Sequence, residues 1–395
     1  MKVLVVNAGS SSLKYQLIDT SDEKALAKGI CERIGAAGSV LKHSGKKDVE
    51  ILTPIPKHTD AVKIVLDALV SPEHGVMKSI KEIGAVGHRV VHSGETFSDS
   101  VRITAETLPL IAQNNDMAPL HNPANIMGIE ACRAVMPDVP MVAVFDTAFH
   151  STMPPKAYMY AVPYDAYTQY KVRKYGFHGT SHMYVADMSA KMLGRKDIKL
   201  IVCHLGNGAS ITAVKDGKSI DTSMGLTPLQ GLVMGTRSGD IDPAVIEYLS
   251  VKKGMTVAEV TDYLNKKSGV FGISGISSDF RDLCVAADEG NERAKLAIDM
   301  FCYSVKKYIG SYAAAMGGLD CVAFTAGIGE NTHRVRDYVM EGLEFLGIDF
   351  DRERNYSLKR GETAELTRKG SKVKVFVIPT NEELVIARET KRLVK

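Results

Sequence analysis

Val3–Val6 is an unbroken apolar, mostly β-branched run that stops at the small polar stretch Asn7-Ala-Gly-Ser-Ser-Ser12, and apolar residues resume over Leu13–Ile18. That pattern predicts two strands joined by a small polar turn. Helical spacing of apolar residues follows over His58–Val70, and Ala85–Val91 reads as a further strand. Asn122-Pro123 predicts a helix start, with asparagine as the cap and proline at the first helical position. Met141–Phe145 is a buried strand ending at Asp146.

The opening then recurs. Lys2-Val-Leu-Val-Val-Asn-Ala-Gly9 lies over Lys199-Leu-Ile-Val-Cys-His-Leu-Gly206, and small polar residues follow both glycines. In the second copy the returning strand is Ala209–Val214, and the turn Lys215-Asp-Gly-Lys218 leads to a third over Ser219–Thr222. Asp242-Pro243 predicts another helix start, Asn291–Met316 a long amphipathic helix, and Cys321–Thr325 a strand running into Ala326-Gly-Ile-Gly-Glu-Asn331. Lys372–Ile378 is the last strand, and Thr380-Asn-Glu-Glu383 reads as a capping box opening a final helix able to pack back on the first half. Strand order places the division between the halves near Asp146.

Length and composition narrow the class. A chain of 395 residues has room for two domains of ~100–200 residues each. With 45% hydrophobic and 24% charged residues it resembles ordinary globular proteins, which excludes wholesale disorder. Lys+Arg 49 against Asp+Glu 46 leaves +3, so no general field attracts nucleic acid or an anionic membrane, and any anion site must be local. Cys31, Cys132, Cys203, Cys284, Cys302 and Cys321 are scattered without a C-x-x-C pair, which argues against a disulfide framework or a zinc knuckle and for a reducing compartment. The N-terminus enters a strand directly with no long apolar leader, and no run of eighteen apolar residues follows, so a cytoplasmic location is expected.

The candidate chemistry sits in glycine turns, histidines and two arginines. Asn7–Ser12 and Gly206-Asn-Gly-Ala-Ser210 are either ordinary hairpin turns or phosphate cradles, and their recurrence at equivalent places favours cradles. No P-loop or dinucleotide fingerprint is present, so hairpins and not helix N-termini would hold phosphates. Arg89, in Gly87-His-Arg-Val-Val-His92, needs either a structural carboxylate or an anion to clamp. Arg237, in Met234-Gly-Thr-Arg-Ser-Gly-Asp240, is either a surface ion pair or a second clamp on a transferring phosphoryl group. Asp146 stands at a strand end where such sheets build sites, or else caps a turn. Glu382 fits either the first turn of a helix or a metal. His121, His178 and His204 lie at strand and loop ends, as core residues or as catalysts, and none forms a zinc-ligand set. Ser11-Ser-Leu-Lys14 and Ser304-Val-Lys-Lys307 match S-x-x-K without its companion motifs, which disfavours a serine nucleophile.

Taken together, Asn7-Ala-Gly-Ser-Ser-Ser12, Gly87-His-Arg-Val-Val-His-Ser-Gly94, Phe145-Asp-Thr-Ala-Phe-His150, Tyr175-Gly-Phe-His-Gly-Thr-Ser-His182, His204-Leu-Gly-Asn-Gly208, the stretch Met234 to Asp240 and Gly327-Ile-Gly-Glu-Asn331 resemble the acetate kinase family over nearly the whole chain. The resemblance implies an α/β fold of two duplicated actin-like (ribonuclease H-like) domains of βββαβαβα topology with a cleft between them. It places the first over residues 1–146 plus 380–395 and the nucleotide-binding one over 147–379. It implies reversible transfer of the ATP γ-phosphoryl to acetate, giving acetyl phosphate and ADP, with Mg²⁺ or Mn²⁺, in a homodimer. Arg89 and Arg237 resemble the pair that binds the acyl carboxylate and stabilises the phosphoryl, His178 the transition-state histidine, and Asn7, Asp146 and Glu382 the metal-organising set. Lys14, His204, Leu205, Gly206, Asn207 and Gly208 resemble phosphate contacts. Asp279, Phe280, Arg281, Gly327, Ile328, Gly329, Glu330 and Asn331 resemble the adenosine pocket. Val91, Leu120, Phe177 and Pro228 match the pocket for the acetate methyl, and His121 a supporting histidine.

Two other readings stay open at this level. One is a propionate or other short-chain acyl kinase, told apart by comparing kcat/KM for acetate, propionate and butyrate. The other is a nucleotide-driven conformational protein, which ATP consumption indifferent to acetate would reveal.

Overall fold

In a computed structural model covering all residues from Met1 to Lys395, the opening hairpin forms as the pattern predicts. Strand β1 (Lys2–Ala8) runs antiparallel to β2 (Ser12–Asp19), with Asn7 opposite Lys14. β3 (Lys24–Glu32), β4 (Val40–Ser44) and β5 (Asp48–Leu52) continue the meander outward. On the other side of β1, β6 (Ile83–Val90) and β8 (Met141–Phe145) are parallel, and the short β7 (Val101–Arg102) closes the edge. The order is β5-β4-β3-β2-β1-β6-β8-β7.

The copy near residue 199 has the same plan. β9 (Lys199–Leu205), β10 (Ala209–Lys215) and β11 (Lys218–Thr222) form an antiparallel meander, and β12 (Cys321–Thr325) and β14 (Lys374–Val377) add in parallel beyond β9, with β13 (Ala364–Glu365) at the edge. Its order, β11-β10-β9-β12-β14-β13, matches β3-β2-β1-β6-β8-β7 strand for strand. Duplication read from two apolar runs is thus a duplicated topology.

Strands β1, β8, β9 and β12 carry unbroken apolar runs because helices cover both sheet faces. Beneath the first sheet, Val62, Val65 and Leu69 of the helix His58–Val70 meet Leu4, Val6, Leu17 and Val86. Fully burying one such leucine is worth about 1.5–3 kcal/mol. The helix Glu382–Val394 lies across β1, β6 and β8, although it follows β14 in the chain. It approaches β6 closely at Gly87, where a Cβ would stand 2.4 Å from Thr390 Oγ1 and 2.7 Å from Ile386 Cγ2. The chain accordingly forms two compact units, Met1–Ser151 with Asn381–Lys395, and Thr152–Thr380. The break lies past Asp146 because residues 148–151 stay with the first unit, Ser151 Oγ donating to Ser98 O at 3.0 Å, while Thr152 Oγ1 donates to Ser219 O of the second at 2.7 Å. No helix is long and apolar enough to cross a membrane.

Two caps differ from expectation. The helix Asn122–Val135 is preceded by His121 as its cap residue, and Asn122 instead bridges the backbone of His92, accepting from its N–H at 3.0 Å and donating to its carbonyl at 2.9 Å. A buried loop amide and carbonyl needed partners more than the helix end did. At the last helix, Asn381 and not Thr380 caps, accepting from Leu384 N–H at 3.0 Å, while Thr380 donates to Ser181 Oγ at 2.8 Å.

Candidate active site

In the first unit, β6 and β8 are adjacent and in register, Arg89 opposite Val144, so their C-terminal ends set Arg89 beside Asp146. The Arg89 guanidinium donates through Nη2 to Asp146 Oδ2. Of the alternatives for Arg89, a carboxylate partner is what the fold provides, and that carboxylate is the candidate metal residue. Asp146 is 1% exposed, and its Oδ1 is buried with no hydrogen-bond partner. Burial pushes the Asp146 carboxyl up to about 6 against the pull of Arg89, and the negative charge of Glu382 pushes the same way. Arg89 is held above its ordinary value: burial opposes its charge, but Asp146 and Glu382 outweigh it.

Glu382 therefore stands near the pair, at the first residue of the helix that Gly87 admits so closely. Asn7 lies at the end of β1, beside β6. No three His, Cys, Asp or Glu side chains converge as a metal cage. An orphaned carboxylate oxygen, a second carboxylate and an amide would nonetheless fit a hard divalent cation. Lys14 is exposed on β2. Val91 is buried, its N–H bonded to Asn125 Oδ1 at 3.1 Å, whereas Leu120 is 77% exposed and His121 is also exposed.

In the second unit, the β9–β10 turn Gly206-Asn-Gly208 is ringed by candidate side chains. His178 Nδ1 pairs with Ser210 Oγ at 2.9 Å, and its ring stacks on His204 at 4.1 Å between centroids. His204 Nδ1 pairs with Ser181 Oγ at 2.7 Å, and His182 Nε2 with Ser210 Oγ at 2.7 Å. His178 takes φ +57°, left-handed for a non-glycine residue, just ahead of the helix Gly179–Leu193. Such strain persists where surrounding contacts enforce it and gathers at working sites. Phe177 is buried beside it.

Arg237 is not the surface ion pair that its loop allowed. Its Nη1 reaches only the Pro228 carbonyl at 3.4 Å and the Met234 sulfur at 3.7 Å, and burial lowers its affinity for its proton. A half-buried guanidinium with no carboxylate stays charged and favours an arriving anion. A Cβ on Gly208 would lie 3.1 Å from Arg237 Nη1 and 3.8 Å from His178 Nε2, so arginine, histidine and turn share one small space. Gly235 also packs on this turn, its N–H bonded to Asn207 O at 2.9 Å. A Cβ there would stand 1.8 Å from Asn207 Oδ1. Gly235→Ala is therefore expected to displace Asn207 and weaken anion binding at the turn by about 10- to 100-fold, checked by titration with pyrophosphate.

The turn opens into a cavity of about 580 Å³, lined among others by Gly206, Asn207, Asp279, Arg281, Ile328 and Asn331. Asp279 caps the helix Phe280–Asp288, accepting from Arg281 N–H at 2.8 Å, and also pairs with the Arg281 guanidinium at 2.6 Å. Glu330, on the short helix Ala326–Asn331, turns inward and accepts from Ala326 N–H at 2.8 Å and Thr380 N–H at 3.1 Å. A concave site of this size beside an unpaired cation suits a nucleoside with its phosphates.

A family model described as the acetokinase family matches residues 2–388. The chain belongs to the acetokinase family. It is 60% identical to an acetate kinase of Caldicellulosiruptor bescii, with 100% of this chain and 99% of that protein covered. The crystal structure of Porphyromonas gingivalis acetate kinase superposes with a TM-score of 0.97 at 47% identity, covering 100% of both chains. A propionate kinase from Francisella tularensis superposes at 0.92 with 45% identity and 99% coverage of each.

For an acetokinase the cavity also has a wall that sequence reading missed. Arg336 is 2% exposed and bonds through Nε to Asn355 Oδ1 at 2.7 Å and through Nη1 to the carbonyls of Gly329 at 2.8 Å and Glu330 at 2.9 Å. Burial brings it down to about 10. A signal was available: in the helix His333–Met340, Arg336 shares a face with buried Val339 and Met340, three and four residues on, where a charged side chain needs a built partner.

Proposed function

We propose that this acetokinase-family chain transfers the ATP γ-phosphoryl reversibly to acetate by direct in-line displacement, giving acetyl phosphate and ADP. The observation that carries the reading is Arg237, an unpaired, half-buried guanidinium against the Gly206–Gly208 turn of a nucleoside-sized cavity. Acetate is already an anion at neutral pH and needs no general base, so catalysis has to come from positioning and charge neutralisation.

The proposed roles are these. Backbone at Gly206–Gly208 holds the phosphates, while Arg237 and His178 neutralise charge that develops on the transferring group. Ser210, bonded to both His178 and His182, fixes the orientation of the His178 ring. Arg89, already oriented by Asp146, binds the acyl carboxylate with the part of its guanidinium that the pair leaves free. Buried Val91 beside Arg89 and buried Phe177 beside His178 are the apolar side chains proposed to meet the methyl group, each within its own unit. Asn7, Asp146 and Glu382 would hold Mg²⁺, which when bound neutralises phosphate charge. A homodimer is part of the reading, supported by the exposed apolar side chains Tyr248, Val251 and Val257. So is a cytoplasmic setting, supported by six free cysteines.

The test is to trap acyl phosphate with hydroxylamine in the presence of ATP, Mg²⁺ and acetate, propionate or butyrate. Acetyl hydroxamate should form with the highest kcat/KM. The likeness to a propionate kinase favours a second reading, and because one methylene is worth only ~1–3 kcal/mol, propionate should be the poorer substrate and not an excluded one. ATP consumption that ignores added acetate would defeat both readings.

A further inference from the structure

The loop Gly231–Asp240 carries Arg237, and one residue closes its neck. Asp240 N–H donates to Gly231 O at 2.9 Å, and Gly231 N–H donates to Asp240 Oδ1 at 3.1 Å. The second carboxylate oxygen, Oδ2, accepts the Tyr308 hydroxyl at 2.5 Å. The neck is tight: Gly239 has φ +70°, and a Cβ there would lie 2.3 Å from Leu232 O and 2.5 Å from Gly231 O. Ser304, one turn before Tyr308 on the helix Glu292–Met316, accepts from Val233 N–H at 3.4 Å. Both limbs of the loop are thereby held to one face of that helix, and the serine of Ser304-Val-Lys-Lys307 has a structural duty in place of a nucleophilic one.

From the neck the frame continues to the chemistry. Met234 N–H bonds to Arg237 O at 3.1 Å, and Gly235 N–H bonds to Asn207 O at 2.9 Å. Arg237 has no carboxylate to aim its guanidinium, so its direction depends on where this backbone is held. Asp240 makes no ion pair, and both its oxygens are spent on the loop and its anchor. A charged carboxylate bound to a backbone amide and a phenol makes stronger hydrogen bonds than a neutral acceptor would.

We infer that Asp240 is a positioning residue for Arg237, acting with Tyr308 to hold the loop so that the guanidinium stays against the Gly206–Gly208 turn. The inference rests on the reading of Arg237 as the group that meets the transferring phosphoryl. A double-mutant cycle tests it, with kcat and KM measured in the hydroxylamine assay. Asp240→Ala should lower kcat by about 10- to 100-fold with KM for ATP changed by no more than about twofold. Tyr308→Phe, which removes one hydroxyl, should lower kcat by about 2- to 5-fold. In an Arg237→Ala background, adding Asp240→Ala should cause no further loss, because the group it positions is gone. A residue that only supports the fold would cost the same factor in both backgrounds, and that result overturns the inference, as does wild-type kcat in Asp240→Ala. If Asp240→Ala does not fold, Tyr308→Phe taken through the same cycle decides it by the same criterion. Wild-type turnover in Arg237→Ala alone overturns the reading of Arg237, and the inference with it, so the two failures are told apart.

Discussion

Arg237→Ala is expected to lower turnover by about 10³-fold, a loss of roughly 4 kcal/mol of transition-state stabilisation. The size follows from what the guanidinium lacks. With no carboxylate to neutralise it, its charge is available in full to an arriving anion, and partial burial keeps water from screening it. The same isolation predicts that folding is nearly unaffected, since only a 3.4 Å contact to Pro228 O and a 3.7 Å contact to Met234 Sδ are lost. Steady-state rates with a thermal melt check both halves. Turnover within a few-fold of wild type, in a folded variant, would remove Arg237 from the chemistry.

Arg89→Ala should also reduce turnover by orders of magnitude, but with a stability loss that Arg237→Ala does not share. Removing Arg89 leaves Asp146 buried without its counter-charge and facing the negative charge of Glu382. Breaking a buried pair by deleting one partner costs about 3–5 kcal/mol, and the lower end applies here because 24% of the Arg89 side chain is open to solvent. Urea denaturation alongside the assay separates the two effects. Arg89→Lys keeps the charge and should recover most of the stability while recovering little turnover, because the role proposed for Arg89 needs a fork that meets Asp146 and a second anion at once, which a lysine cannot supply. If Arg89→Ala is as stable as wild type, Asp146 is not the buried, dependent partner described.

The opening hairpin and its copy at Lys199 can be read from sequence because a strand covered on both faces must carry an unbroken apolar run, and such runs are conspicuous. The glycine turns are legible for the same local reason. The pairing of Arg89 with Asp146 is not, since it joins residues 57 apart whose meeting depends on the order and register of β6 and β8. Arg237 could be singled out but not distinguished from a surface ion pair, because the absence of a carboxylate is a property of everything around the loop. The caps at Asn122 and Thr380 misled for a related reason. Both residues have cap-forming side chains, but tertiary partners, the His92 backbone and Ser181, claim them first. Arg336 shows the converse, a helix-face pattern that only gains meaning once its neighbours are known to be buried.

Direct transfer from nucleotide to acetate, with arginines and no covalent intermediate, is tested most directly by the stereochemical course at phosphorus. The measurement uses ATP made chiral at the γ-phosphoryl with oxygen isotopes and reads the configuration of the acetyl phosphate formed. A single in-line displacement predicts inversion. Retention would contradict it, because two displacements would then be required, with the phosphoryl carried in between on a side chain such as His178.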